Sequence, residues 1–519
     1  MKFTIFAHRF PKESMKARTS YISIILLLSS INLIFGQTAD SLFAVRSSKA
    51  ADAVKAIVSD PTFSEAVVGI CVTDGCGKSL AEHNSRTMLV PASNMKLITT
   101  GAAIHTLGRD FRFETRLGYK GRIEHGTLKG NLYILGGGDP TLGSKDTIAT
   151  PLDQIFTQWK QLLEKEGIQK VEGYIIGDGR YFDGMPEEGS WVWEDIGTYF
   201  GTGSSALMFY ENMQSFAVSA GETVGAPVNI APHYPHTPWM EFRYNCTTGE
   251  KGTGDKLYMY TSDLAPIAEI RGTFGVDRAR KQLDCSNKYA EYTCAAYFTD
   301  WLKKKGLPCT MGAGDSRFQT KWLTDEPADS LIIIGSTVSP ELERIIYATN
   351  HASNNLYAET LFRTLGKSLT GSASYESSAD AMIRILKGMG IDTSKGLHMK
   401  DGSGLSRKNY ISADFFCRFL EVMMHSPVFE EYVESLPSPG SNGTLNYNMK
   451  GYPEEFRSRI KVKSGSMNGV RCYSGYIIPT EGTKADTIIF SILTDNCTSP
   501  TWKVRQLLDK LMASLAEIN

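Results

Sequence analysis

The sequence has no charge bias: 55 Lys and Arg against 56 Asp and Glu leave a net charge of −1 over 519 residues. That balance excludes a basic footprint for nucleic acid and a polybasic membrane patch. There is no Cys-x-x-Cys, which argues against a redox motif or a zinc ribbon. His-Glu-x-x-His and Gly-x-Ser-x-Gly are also missing, so the zincin and α/β-hydrolase readings lose support. His233-x-x-His236 lies in a Pro-rich stretch and reads as packing or solvent-facing rather than metal-binding. No metal and no cofactor are expected. Internal repeats and low-complexity segments are absent, and no stretch after residue 36 is apolar for long enough to span a bilayer.

What apolar run there is lies near the start. Lys16 and Arg18 precede Tyr21–Phe35, which ends at Gly36. A basic segment, a short apolar run and a small residue read as a secretory signal over 1–36, cleaved near Gly36, for an exported protein. Met15 is an alternative start. The rival, an uncleaved anchor, is disfavoured by the short run and by Ser29, Ser30 and Asn32. No Cys follows to carry a lipid. Nine cysteines lie beyond it, an odd count that leaves at least one unpaired. Cys285 with Cys294 and Cys472 with Cys497 are the candidate pairs, the second flanking two strand-like runs.

Hydrophobic content of 42% and charged content of 21% are those of a folded globular protein, and the length predicts about two or three domains. Ala66–Val72 and Lys78–His83 read as strands around an Asp74-Gly75 turn, and Ser93–Leu107 as a helix. Ile460–Lys463, Gly469–Ile478 and Thr487–Leu493 read as three more strands, followed by a helix over Trp502–Ala513. Strands from both chain ends could therefore share one sheet. Between about 109 and 325 turn-forming residues are denser and short strands recur (Leu132–Leu135, Gly173–Ile176, Lys256–Tyr260), which predicts a largely β insertion. Helical patterns return at Asn354–Leu365 and Ala379–Met389.

Three short motifs carry chemistry. In Ser93-Asn94-Met95-Lys96 a serine opens a helix, and a lysine three residues on shares its face. A desolvated lysine near other cations can be neutral near pH 7 and take the serine's proton. Alone, the pattern also fits an N-cap serine beside a solvated lysine. Ser353-Asn354-Asn355 opens another helix and alone fits an N-cap cluster; functionally it offers Ser353 to a proton path and the Asn355 amide to Lys96 and to a substrate backbone. Lys463-Ser464-Gly465-Ser466 ends a strand-like run. It fits a Gly bulge with a solvated lysine, or an edge that pairs with an extended peptide and holds a terminal carboxylate. Their order, S-x-x-K, S-x-N, then K-[ST]-G near the C-terminus, is the signature of penicillin-recognising serine enzymes.

The stretches PASNMKLITTGAAIHTLGRDFRFET, LGGGDPTL, SNNLYAETLFRTLG, DGSGLSRKNYIS and KVKSGSMNGVRCYSGYI resemble the class C low-molecular-mass penicillin-binding proteins of the penicillin-binding protein 4 type, D-alanyl-D-alanine carboxypeptidase/endopeptidases. The resemblance runs from about residue 50 to the C-terminus and is weak between about 205 and 320. It implies an α/β (α+β) penicillin-binding/β-lactamase-like transpeptidase fold, an antiparallel sheet flanked by helices, with two nested, mainly β insertions. The peptidase domain would comprise 37–108 and 325–519, one insertion 109–122 and 203–324, and the nested one 123–202. Ser93 would be the acylated serine and Lys96 its base, with the pKa of Lys96 lowered by burial and by Lys463. Ser353 and Asn355 would line the site, Lys463 and Ser464 would hold the substrate carboxylate, and Gly465 would permit close approach. The backbone N–H groups of Ser93 and Ser466 would form the oxyanion hole. Asp195, Phe200, Arg407 and Asn468 would bind the side chain of the penultimate residue, which diaminopimelate would supply.

Expected partners are peptidoglycan peptides, with D-Ala-D-Ala ends or cross-linked, and β-lactams as inhibitors. Two departures from the commoner pattern, K-S-G for K-T-G and S-N-N for S-D-N, keep the hydroxyl and the outer pair. One rival is a β-lactamase; its E-x-x-L-N loop has only Asn442-Gly443-Thr444-Leu445-Asn446 to match, with no carboxylate at its first position. The other is a non-catalytic peptidoglycan-binding scaffold, opposed by the presence of every catalytic residue type.

Overall fold

The computed structural model describes residues 41–316 and 330–518. The expected leader over 1–36 and the expected boundary at 325 fall outside them. No helix among the described residues is long and apolar enough to cross a membrane.

Both chain ends build one five-stranded antiparallel sheet, in the order Ile460–Met467, Val470–Ile477, Ile488–Asp495, Val67–Asp74, Ser79–His83. Its inner strands read as continuous apolar runs because both faces are buried. Val68, Ile70 and Val72 join Ile488, Phe490 and Ile492 in one core, beneath a helix over 41–58 and the C-terminal helix Thr501–Ala516. On the other face Cys71, Ile489 and Leu493 meet Met95–Leu107, Leu342–Ala352, Asn355–Thr370 and Ala413–Met424. Met95–Leu107 is buried continuously from Met95 to Ile104, as a helix apolar almost all round must be. It is the axis of the domain.

The insertion is built on a six-stranded mixed sheet: Gly312–Asp315, Tyr174–Asp178, Thr127–Leu135, Glu114–Glu124 and Ile332–Val338 in order, with Lys170–Val171 beside Thr127–Leu135. It is less purely β than expected. Leu152–Lys165 aims Ile155, Phe156, Trp159 and Leu163 at the sheet, a stripe of helical period. A second helix, Ala290–Lys304, sets Phe298 against Phe156 and Trp159 at ring separations of 5.0 and 5.1 Å. Strand pairing crosses the boundaries drawn from the sequence. Ile332–Val338, expected in the peptidase domain, pairs with Glu114–Glu124. Glu114–Glu124 also pairs with Thr127–Leu135 across the expected boundary at 122. The separate small unit comprises two three-stranded sheets between Met213 and Ser286 with their own core. Turn density marks where strands end; it does not say which strands pair.

All nine cysteines are free thiols. Val470–Ile477 and Ile488–Asp495 do form the expected hairpin, but Cys472 faces one core and Cys497 the other. Cys285 belongs to the small unit and Cys294 to the core under the six-stranded sheet.

Candidate active site

The chain enters the central helix through a 3-10 turn, Ala92–Asn94, that presents Ser93 half-buried. Two contacts fix this turn. The fully buried Asn94 donates from Nδ2 to Ser474 Oγ at 2.7 Å, tying it to the sheet. Gly465 lies so close that a Cβ there would sit 2.6 Å from the Pro91 carbonyl oxygen and 3.1 Å from Asn94 N. Only glycine lets the third-motif strand run past the serine.

One turn into the helix, Lys96 is fully buried. Its Nζ lies 2.9 Å from Ser93 Oγ, 2.6 Å from Asn355 Oδ1 and 2.8 Å from the Ser403 carbonyl oxygen. Burial lowers its pKa from the ordinary 10.5 to about 7, although Glu359 and Asp401 pull it back up. Lys463, also fully buried, donates to Ser353 Oγ at 3.0 Å and to its neighbour Ser464's carbonyl oxygen at 2.9 Å. Burial pushes its pKa well below the usual value, and Lys96 pushes it further. Repulsion between two amines acts on both, and each favours the neutral form of the other. An anion bound beside these amines would favour their charged forms.

Ser353 closes one helix in the left-handed region, φ 55°, and Asn354 caps the next, its side chain accepting from Tyr357 N. That tight junction turns Ser353 toward Lys463 and Asn355 toward Lys96. Asn355 Nδ2 donates to the Phe200 carbonyl oxygen at 2.9 Å, which fixes the amide with Oδ1 facing Lys96. The insertion therefore reaches the site through a backbone atom of Phe200.

The loop 401–409 is the site's third wall, and the sequence reading drew only Arg407 from it. Glu359 accepts from Gly402 N at 3.0 Å and Ser403 N at 2.7 Å, which aims the Ser403 carbonyl at Lys96. Asp401 accepts from Gly404 N, Ser406 N, Trp191 Nε1 and Asn409 Nδ2, each within 2.9 Å. Burial raises the pKa of both carboxyls, and Asp401 raises that of Glu359 further, to about 8. Glu359 and Asp401 both lie inside the quoted family-like blocks. The missing signal was pairing, since acceptors of backbone N–H groups have no sequence pattern of their own.

Ser464 is buried and donates to Thr444 Oγ1 at 3.3 Å, while Ser466 and Asn468 on the same edge strand and turn are exposed. Exposed Arg407 donates from Nη1 to the Asn468 carbonyl oxygen at 3.5 Å. Half-buried Asp195, in the short helix Trp193–Ile196, has a raised pKa: burial and Glu194 raise it, and Arg407 counters them. Arg407 thus meets the third-motif turn at Asn468, and its charge reaches Asp195.

A model of the D-Ala-D-Ala carboxypeptidase 3 (S13) family matches residues 50–515. The chain is 27% identical over 457 residues to the D-alanyl-D-alanine carboxypeptidase of Actinomadura sp. (strain R39), covering 84% of this chain and 80% of that protein. To the D-alanyl-D-alanine carboxypeptidase DacB of Haemophilus influenzae it is 23% identical over 417 residues, 79% of this chain and 82% of that one. The crystal structure of penicillin-binding protein 4 from Haemophilus influenzae shares the fold, with a TM-score of 0.74 at 21% identity, over 88% of this chain and 96% of that one. A match over nearly the whole described chain, on a fold whose two ends close one sheet around a Ser-Lys helix, settles the classification: the chain belongs to the D-Ala-D-Ala carboxypeptidase 3 (S13) family, whose members are serine peptidases.

Proposed function

We propose that this enzyme cleaves D-Ala-D-Ala and cross-linking peptide bonds of peptidoglycan through an acyl-enzyme on Ser93. One observation carries the reading: the buried Lys96 amine within hydrogen-bond distance of both Ser93 Oγ and Asn355 Oδ1, with its pKa brought to about 7. Neutral Lys96 takes the Ser93 proton as Oγ attacks the carbonyl carbon of the scissile bond. The backbone N–H groups of Ser93 and Ser466 receive the developing oxyanion. The C–N bond then breaks, and the proton passes to the leaving amine through Ser353, which Lys463 contacts at 3.0 Å. Water hydrolyses the ester and restores Ser93. Lys463 and the Ser464 hydroxyl hold the substrate's terminal carboxylate, and Gly465 keeps the strand close to the serine.

Asp195, Arg407, Phe200 and Asn468 form the subsite for a zwitterionic side chain such as that of diaminopimelate. An acid, a guanidinium and polar groups suit an ammonium and a carboxylate on one chain end. The substrate places the enzyme in the cell envelope, exported by a leader cleaved near Gly36.

Covalent labelling tests the reading. Wild type incubated with a fluorescent penicillin should give one labelled band and a mass increase of one drug molecule, and Ser93→Ala should give neither. Equal labelling of Ser93→Ala would overturn the assignment. Asn442 offers no deacylating carboxylate, so the adduct should persist through gel electrophoresis; rapid loss would favour a β-lactamase.

A further inference from the structure

Tyr210, Glu211 and Asn212 all lie in the left-handed region, with φ of 52°, 55° and 51°. A run of three such non-glycine residues is sterically costly and persists only where the surroundings over-determine it. Here they do. Phe209 N donates to Asn212 Oδ1 at 3.1 Å, and Asn212 Nδ2 to the Gly203 carbonyl oxygen at 3.1 Å. The turn's product is the placement of one carboxylate. Glu211 is buried, its Oε1 accepts from Ser144 Oγ at 2.7 Å, and its Oε2 accepts from Asn354 Nδ2 at 2.8 Å.

Asn354 is the middle residue of the second motif, and both ends of its amide are committed. Oδ1 caps the following helix through Tyr357 N at 3.1 Å, and Nδ2 is given to Glu211. Its neighbours on either side are Ser353, which faces Lys463, and Asn355, which faces Lys96. We propose that Glu211 is a positioning residue, through which the inserted segment locks the second motif in its catalytic placement, and that it dictates asparagine at position 354. An aspartate there would oppose two buried carboxylates across the same contact. The proposal rests on reading Ser93 as the acylated serine.

The hydrogen bond can be reversed to test this. Asn354→Asp alone removes the donor and adds a charge, whereas Glu211→Gln/Asn354→Asp restores the contact with the glutamine donating and the aspartate still capping the helix. The readout is the pseudo-first-order rate of acylation by a fluorescent penicillin, with thermal unfolding measured beside it. Asn354→Asp should acylate at least tenfold more slowly than wild type, and the double variant should recover to within about threefold. Such a rescue separates positioning from a general loss of fold. If Asn354→Asp does not fold, the double variant decides by the same threshold. Wild-type acylation by Asn354→Asp, or no recovery in the double variant, overturns the proposal. Labelling of Ser93→Ala would instead overturn the assignment of the nucleophile on which it rests.

Discussion

The chemistry at Lys96 depends on removing an amine from water. The base form predominates above the amine's pKa, so acylation should rise with pH through about 7, measured as the penicillin acylation rate. Lys96→Arg keeps a charge that cannot be shed and should leave acylation near background. Stability carries the same signature with a definite sign. Between about 7 and 10.5 the unfolded chain holds a proton that the native chain has released, so native stability rises with pH across that window. Lys96→Met removes one such group. The wild-type melting temperature should therefore gain on that of Lys96→Met between pH 7 and 10; a constant difference would mean that Lys96 is not desolvated in the native state. The proposed outer subsite would govern choice rather than chemistry. Asp195→Ala and Arg407→Ala should lower kcat/KM on diaminopimelyl-D-Ala-D-Ala peptides about tenfold or more, the worth of one charge-assisted contact. Penicillin acylation should hardly change, and an equal loss on both would mean that the pair supports the fold.

Among the elements, an exacting junction is where the loop 401–409 meets the turn of Ser93. Gly404 has φ 85°, and a Cβ would lie 1.8 Å from the Ala92 carbonyl oxygen. Gly404→Ala should therefore displace loop and nucleophile together and lower the acylation rate by more than tenfold. Glu359→Ala strips two buried N–H groups of their acceptor at a cost of about 1–3 kcal/mol each, visible as a lowered melting temperature. Elements of this kind were unevenly legible in the sequence. The strands and helices that were expected in the peptidase domain lie within a few residues of their places, because apolar periodicity there is strong, whereas the helix over 41–58 had no expected place. The three motifs were legible as residue types, and the fold brings them together around Lys96. Glu211 and the Phe200 carbonyl were not: one acts through a left-handed turn and the other through a backbone atom, and neither leaves a residue pattern. The helices Leu152–Lys165 and Ala290–Lys304 were missed for another reason. Their apolar stripes lie among dense turn signals, and local composition outweighed periodicity.

For the molecule as a whole, the sheet is closed by its own distant ends. Val67–Asp74 pairs along its length with Ile488–Asp495, and Thr501–Ala516 covers the same core as the helix over 41–58. Truncation after Ala485 should leave Val67–Asp74 without that partner and the apolar face uncovered. The product should show no cooperative unfolding transition in the peptidase domain and no penicillin labelling. The same closure puts the slowest contact last, since long-range pairing must meet its loop-closure entropy before any contact rewards it. Lys96 is desolvated only when the sheet and its helices have closed around it. A chain still being made consequently carries its serine and lysine as ordinary solvated side chains. The low-dielectric setting of Lys96 is thereby tied to a union of strands far apart in the chain, Val67–Asp74 and Ile488–Asp495.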